Sequence, residues 1–187
     1  ATVEDDYTLY AEVDDYGNTV TYYKVTETDT LSHYTVAYQN SYTYNDWWTG
    51  EEITSEYSGT TFYDAEGNIT SVSSSYQYGT YVSSDAWEYQ YDEAGKLTSI
   101  TSTYSWKDGK TSSTSSSSYD GNWQSLSSTV TTSTVYTDDA GVEQVREETV
   151  TTEYEYDDAG ALVAYLLTTI NDKGTQEERV DVADMVK

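Results

Sequence analysis

Cysteine and proline are both absent from this chain of 187 residues. Without cysteine, neither disulfide bonds nor thiolate metal sites can hold the fold together. The absence of proline is unusual for a β-protein, because proline commonly blocks unwanted pairing at the edges of sheets. That protection must come instead from the abundant carboxylates and from serine and threonine.

Aliphatic side chains are also scarce. Leu, Ile, Val and Phe make up roughly 15% of the residues, and together with a formal net charge of -26 this is typical of disordered chains. However, the chain contains 22 Tyr and 5 Trp, whereas disordered chains are poor in aromatic residues. We therefore expect a folded protein whose core consists largely of aromatic rings and whose sheet buries one face incompletely.

Basic residues are few: 8 Lys and Arg stand against 34 Asp and Glu. Nucleic acid and anionic lipid surfaces both require a basic patch, so neither is an expected partner. No apolar run is long enough for membrane insertion. A polysaccharide or another surface protein remains as the expected partner. Because the chain begins with Ala and is rich in Ser, Thr and acidic residues, we expect a bacterial protein that is extracellular or at the cell surface after signal removal.

A motif of the form Y-D-x-x-G-x-I/L occurs three times. Its copies contain Tyr63, Asp64 and Gly67, then Tyr91, Asp92 and Gly95, and finally Tyr156, Asp157 and Gly160. Asp is favoured at the first position of a type I turn, and Gly suits a left-handed residue before the next strand. Each copy is therefore predicted to form the tip of a β-hairpin. Weaker copies around Gly17 and Gly141 keep the turn without the tyrosine, and 120–122 is a simpler turn signal.

Aromatic and small residues alternate between these turns. Trp87, Tyr89 and Tyr91, for example, share one parity against Glu88 and Gln90. This pattern predicts an all-β fold, an antiparallel meander of about 10–12 strands built from YD-type hairpins, as a curled single-layer sheet or a thin sandwich with little or no helix. The best helical candidate is 176–187. Residues 111–118, nearly all Ser and Thr, form either a polar edge strand or a flexible insertion.

The three strict copies resemble the YD repeat of the RHS family of bacterial surface and secreted proteins. In that family Y-D-x-x-G-x-L is followed by a second glycine, and here Gly79, Gly109 and Gly174 occupy that place. The resemblance implies hairpins that associate into an extended sheet over 63–174, with 1–62 a weaker match, in a single elongated domain 1–187. It implies a non-catalytic spacer, adhesion or interaction module.

Catalytic motifs of the G-x-S-x-G, H-E-x-x-H, G-x-G-x-x-G and P-loop types do not occur. Carboxylate pairs suited to glycoside hydrolysis arise by accident among so many acidic residues and are uninformative. The single histidine, His33, is interpreted as a strand residue on a polar face. We expect neither a cofactor nor a bound metal, although salt should stabilise the chain by screening its charge.

Three tryptophans are candidate ligand-binding residues. Trp47 and Trp48 are adjacent in a polar turn, so at least one ring is expected to be exposed. Trp123 follows another turn and is the second candidate. An exposed indole is a platform for the apolar face of a sugar, so a carbohydrate-binding module is the alternative to a spacer or adhesion domain. Trp87 and Trp106 share their parity with tyrosines and are expected in the core.

Overall fold

A computed structural model describes residues 2–4 and 6–184 of the chain. These residues form thirteen strands and one 3-10 turn, Val182–Asp184. The predicted all-β fold with little helix is therefore confirmed. The chain divides into two compact units, Ala1–Tyr89 and Gln90–Lys187.

The first unit is an antiparallel meander in which each strand pairs with the next one along the chain. Its last strand ends two residues beyond the unit boundary. The strands are β1 (Thr2–Glu4), β2 (Tyr7–Val13), β3 (Thr19–Val25), β4 (Thr30–Asn45), β5 (Glu52–Asp64), β6 (Ile69–Tyr78) and β7 (Tyr81–Tyr91).

The second unit repeats this arrangement, again with antiparallel pairing between successive strands. Its strands are β8 (Leu97–Asp108), β9 (Thr111–Asp120), β10 (Ser125–Thr137), β11 (Glu143–Tyr156), β12 (Leu162–Asn171) and β13 (Gly174–Asp181). The predicted meander is thus found in both units.

Each unit is a single layer rather than a sandwich. In the described part of each, the strands that lie close together are neighbours in the sheet, whereas a sandwich would also bring non-neighbouring strands face to face. Burial agrees with a single layer. Among the described residues, the buried apolar ones are Val20 in the first unit and Ile100 and Ala164 in the second, and the polar residues Thr35 and Ser55 of the first unit are buried as well.

Contacts between tyrosine rings bury much of the apolar surface that a second layer would otherwise cover. Four of them lie side by side across β2, β3, β4 and β5, and successive ring centroids are 6.3, 5.8 and 4.7 Å apart. Neighbouring rings cover one another, so apolar surface is removed from water without a second layer. These residues are Tyr10, Tyr22, Tyr34 and Tyr63.

The hydroxyl-rich stretch 111–118 is neither an edge strand nor an insertion. It forms most of β9, which pairs with β8 on one side and β10 on the other. Its side chains satisfy one another across the strands, because hydroxyl groups can both donate and accept. Such pairs join Ser105 with Thr114 at 3.1 Å, Ser118 with Ser127 at 2.8 Å and Ser117 with Ser128 at 3.4 Å.

Residues 176–187, the best helical candidate, contain no α-helix in their described part, as the expectation of little or no helix requires. Residues 176–181 belong to β13 and the 3-10 turn Val182–Asp184 follows, whereas residues 185–187 lie outside the described residues.

One further sequence interpretation is wrong. His33 does not lie on a polar face. It stacks on Tyr23, with the ring centroids 4.3 Å apart, and meets the edge of Tyr7, so it belongs to an aromatic cluster.

Candidate functional site

The aspartate-glycine tips share one scheme of hydrogen bonds, which positions the candidate residues. At Asp92, for example, the Gly95 N–H donates to the Asp92 carbonyl oxygen at 2.9 Å, while the carboxylate Oδ1 accepts the N–H groups of Ala94 and Lys96, each at 2.9 Å. The glycine has φ +77°, a conformation that side-chain-bearing residues rarely adopt. Corresponding bonds hold the tips at Asp14, Asp64, Asp138 and Asp157.

A sixth tip of this type begins at Asp120, which sequence reasoning identified only as a simpler turn. The Asp120 N–H donates to the Gln124 carbonyl oxygen at 2.9 Å, and Oδ1 accepts from Asn122 N at 2.8 Å and Gln124 N at 2.9 Å. Tyr119 precedes Asp120 as tyrosine does in the strict copies. The sequence signal for this tip was the pair Tyr119-Asp120, which matches the start of the YD motif. The rest of the motif does not match, because Trp123 occupies the position of the glycine in the other tips.

Trp123 adopts the left-handed conformation of that glycine, with φ +65°. The indole is 52% exposed. Its ring centroid lies 6.0 Å from that of Tyr119, and the two planes are inclined by 50°. A large exposed ring is therefore fixed at a hairpin tip in an unfavourable backbone conformation.

The turn that carries Trp123 is tied to its surroundings within the second unit. Gln124 Nε2 donates to the Gly160 carbonyl oxygen at 2.9 Å, which joins this tip to the tip at Asp157. The Tyr156 hydroxyl donates to the Ser125 carbonyl oxygen at 2.7 Å. These bonds restrict movement of the tip and thus of the ring.

Trp47 and Trp48 lie at the tip between β4 and β5. They are 87% and 80% exposed, and their ring centroids are 5.2 Å apart in an edge-to-face arrangement. The Asp46 carboxylate accepts the N–H groups of Trp48 at 2.8 Å and Thr49 at 2.7 Å. Both rings are therefore presented together by a turn of defined conformation.

This hairpin extends past its neighbours. On β4, pairing with β3 ends at Ala37, and on β5, pairing with β6 reaches only Ser55. The last part of the hairpin, up to the pair Asn45 and Glu52, has no partner strand on either side in the described part of the first unit. The indole pair is consequently accessible to a large ligand.

The other two tryptophans lie within strands. Trp87 in β7 is opposite Val72, and Trp106 in β8 is opposite Ser113. Both are half-buried. They belong to the sheet rather than to a tip.

Among residues 6–183, the carboxyl groups with a shifted pKa have it lowered. Backbone N–H groups of Thr49 and Trp48 hold the pKa of Asp46 below its ordinary value, and the Asn18 side-chain amide lowers that of Asp14. The pKa of Glu143 is lowered by its hydrogen bond from Lys110. A general acid for glycoside hydrolysis needs the opposite shift.

These lowered pKa values predict a melting temperature that passes through a maximum with pH. Lowering the pH from 7 towards about 4.5 reduces the net negative charge of the chain and so its self-repulsion, which stabilises the fold. Asp14, Asp46 and Asp138, whose pKa is lowered, act in the opposite direction. Their folded pKa lies below the unfolded value, so their contribution is present above that value and is lost as the pH falls through the folded pKa. Thermal melts from pH 7 to 2 measure both the rise and the later fall of the melting temperature.

The control for this prediction is the double variant Asp14→Asn, Asp46→Asn. Asparagine keeps an oxygen that accepts the same N–H groups but does not titrate, so the loss of stability on the acid side should become smaller. If the melting temperature of the variant falls as steeply at low pH as that of the wild type, these two carboxylates have no such role.

The described part of the chain contains neither a cluster of metal ligands nor a membrane-spanning helix. No group of three or more His, Asp or Glu side chains in residues 2–4 and 6–184 is arranged to bind a metal ion. Over the same residues, no helix has the length and apolar character needed to cross a membrane.

Comparison with known proteins gives one match. The family model described as RHS Repeat matches residues 63–105, from the first strict YD copy through the second. No curated protein and no solved structure matches the chain. Proteins with RHS repeats are typically extracellular or at the cell surface, and the repeat modules are generally structural rather than catalytic. Residues 63–105 are therefore an RHS repeat, and for this segment the family that the YD motifs predict is confirmed.

Proposed function

We propose that the chain is a non-catalytic spacer, adhesion or interaction module of a bacterial extracellular or cell-surface protein. The observation that carries this proposal is the indole pair at the projecting tip between β4 and β5. Two large apolar rings exposed by 87% and 80% are costly to leave in water unless they meet a partner. The family match supports the location and the non-catalytic character.

The form of the sheet suits a spacer that presents its tips. At about 3.3 Å per residue, the 16 residues of β4 extend for about 50 Å. The strand therefore carries its tip well away from the pairing that anchors its other end. A partner meets the tip before it meets the sheet.

Carbohydrate binding is the second candidate function, and the arrangement of Trp47 and Trp48 favours it. Pyranose rings stack their C–H faces on indole, and the edge-to-face pair offers two differently oriented surfaces to a polymer. The net charge of -26 repels acidic polysaccharides, so the favoured ligand is uncharged. The same charge opposes nucleic acid and anionic membranes as partners.

The double variant Trp47→Ala, Trp48→Ala tests this second function. Measured in a Trp123→Gly background, so that the third candidate ring cannot bind in its place, its affinity for neutral glycans on an array should fall about tenfold or more, because both stacking surfaces are removed. Tyr16→Ala is the matched control, since Tyr16 is 91% exposed at another hairpin tip of the same unit. Equal loss in both variants, or no loss in the tryptophan variant, would contradict a specific role for the indole pair.

A further inference from the structure

We propose that Trp123 forms a second binding platform for uncharged polysaccharide. It is retained at a position whose left-handed backbone conformation disfavours a large side chain. This inference rests on the proposed function, because it assigns an additional site for the same class of ligand. It depends on observations confined to the second unit, so it can fail while the first site stands.

The backbone conformation of Trp123 is the first observation. At the five other tips of this hydrogen-bonding scheme, the left-handed residue is glycine, with φ between +77° and +88°. The other described non-glycine residue with positive φ is Asp29, a residue type that tolerates this region. A bulky ring does not. Strained positions of this kind tend to occur where a side chain is required for function.

The second observation is that the ring is both accessible and fixed. About half of Trp123 is exposed to solvent, so the ring is open to a ligand. Gln124 and Tyr156 hold the turn through their bonds to Gly160 and Ser125. A ring on a restrained turn loses little conformational freedom when a ligand stacks on it, which favours binding.

The surroundings indicate the class of ligand. Tyr119 adds a second ring at 6.0 Å, so the site offers aromatic surface beside a hydroxyl group. The tip that Gln124 joins to this one contributes Asp157 and Asp158 to an already acidic chain. An acidic polymer is repelled by these charges, whereas an uncharged hexopyranose polymer can stack its apolar face and donate hydrogen bonds from its hydroxyls.

The variant Trp123→Gly tests the proposal, because it gives the tip the residue found at the five others. The probes are cellohexaose and chitohexaose, two uncharged hexopyranose oligomers, with an oligogalacturonate as the acidic comparison. We expect wild type to bind at least one neutral probe and not the acidic one. In the Trp47→Ala, Trp48→Ala background, which leaves this site alone, adding Trp123→Gly should weaken binding of that probe about tenfold. Val142→Ala, which trims a side chain of similar exposure at the Asp138 tip, should bind as wild type does.

Melting temperatures test the strain separately. Alanine keeps the unfavourable left-handed residue and glycine relieves it, so Trp123→Gly should melt about 2–4 °C above Trp123→Ala. Equal melting temperatures would overturn the argument from strain. If Trp123→Gly does not fold, Trp123→Phe, with its smaller ring, should bind the neutral probe several-fold more weakly in the Trp47→Ala, Trp48→Ala background, and unchanged affinity there would overturn the proposal.

The outcomes separate the two sites. Full binding by folded Trp123→Gly, together with loss in Trp47→Ala, Trp48→Ala, contradicts the Trp123 platform and leaves the first site in place. The reverse result supports Trp123 and contradicts the indole pair. Wild-type protein that binds neither neutral probe contradicts both.

Discussion

Replacing Gly121 by alanine is expected to lower the free energy of unfolding of the second unit by about 3 kcal/mol or more. A Cβ atom built at Gly121 would lie 2.0 Å from the Leu97 carbonyl oxygen, 2.8 Å from the Leu97 carbonyl carbon and 3.1 Å from Thr98 Cα. All three are backbone atoms at the start of β8. No side-chain rotation relieves such contacts, so either the Asp120 turn or β8 must move.

Gly141→Ala is the matched control. This glycine occupies the left-handed position of the Asp138 tip, with φ +81°, and an added Cβ meets no atom within 4 Å. Its replacement should therefore cost only the conformational term, about 1 kcal/mol. Urea denaturation of the two variants gives the comparison. If Gly121→Ala lowers the free energy of unfolding by no more than Gly141→Ala does, the close approach of the Asp120 turn to Leu97 does not constrain the fold.

The hairpin tips were predictable because their chemistry is local. An aspartate that accepts from the N–H groups two and four residues later, and a glycine that turns left-handed, need nothing from the rest of the chain. The pairing of successive strands follows, because short turns join antiparallel neighbours. Periodicity of two and the tip motif therefore establish the meander.

What the sequence could not predict depends on contacts across strands. The 111–118 stretch has the composition of an exposed segment, yet β9 is an interior strand because hydroxyls on its neighbours pair with its own. The sequence predicts a polar face for His33, because residues of the same parity, such as Thr35 and Gln39, are polar. Its actual neighbours, Tyr7 and Tyr23, come from β2 and β3.

For the candidate tryptophans too, one part could be predicted from the sequence and another part depends on the structure. Two adjacent tryptophans in a polar turn are visible in the sequence, and both rings are exposed at the tip between β4 and β5. The projection of that tip past β3 and β6 depends on where pairing ends on each side. The strain at Trp123 appears only once the backbone shows that the Asp120 turn matches the glycine tips.

Replacing Ile100 by alanine is expected to cost the second unit about 3 kcal/mol, within the usual range of about 2–5 for a buried aliphatic side chain. Ile100 has 0% exposure and is the one large side chain fully buried among residues 6–183, for which burial is described. In β8 it stands opposite Tyr119, the residue before the Asp120 tip. Its loss removes apolar contact where few other aliphatic side chains can collapse into the space.

The size of this effect distinguishes two accounts of how so thin a sheet is stable. If buried aliphatic contacts dominate, Ile100→Ala should cost about 3 kcal/mol, Ile100→Val about 1, and Val145→Ala, at an exposed position, less than about 0.5. If ring ladders and hydroxyl pairs carry nearly all of the stability, each through terms of about 0.2–1 kcal/mol, Ile100→Ala should cost well under 2. Urea denaturation of the three variants measures the difference. We expect the first result, because water is excluded completely at Ile100 and only partly along the tyrosine ladder, where Tyr10 remains exposed.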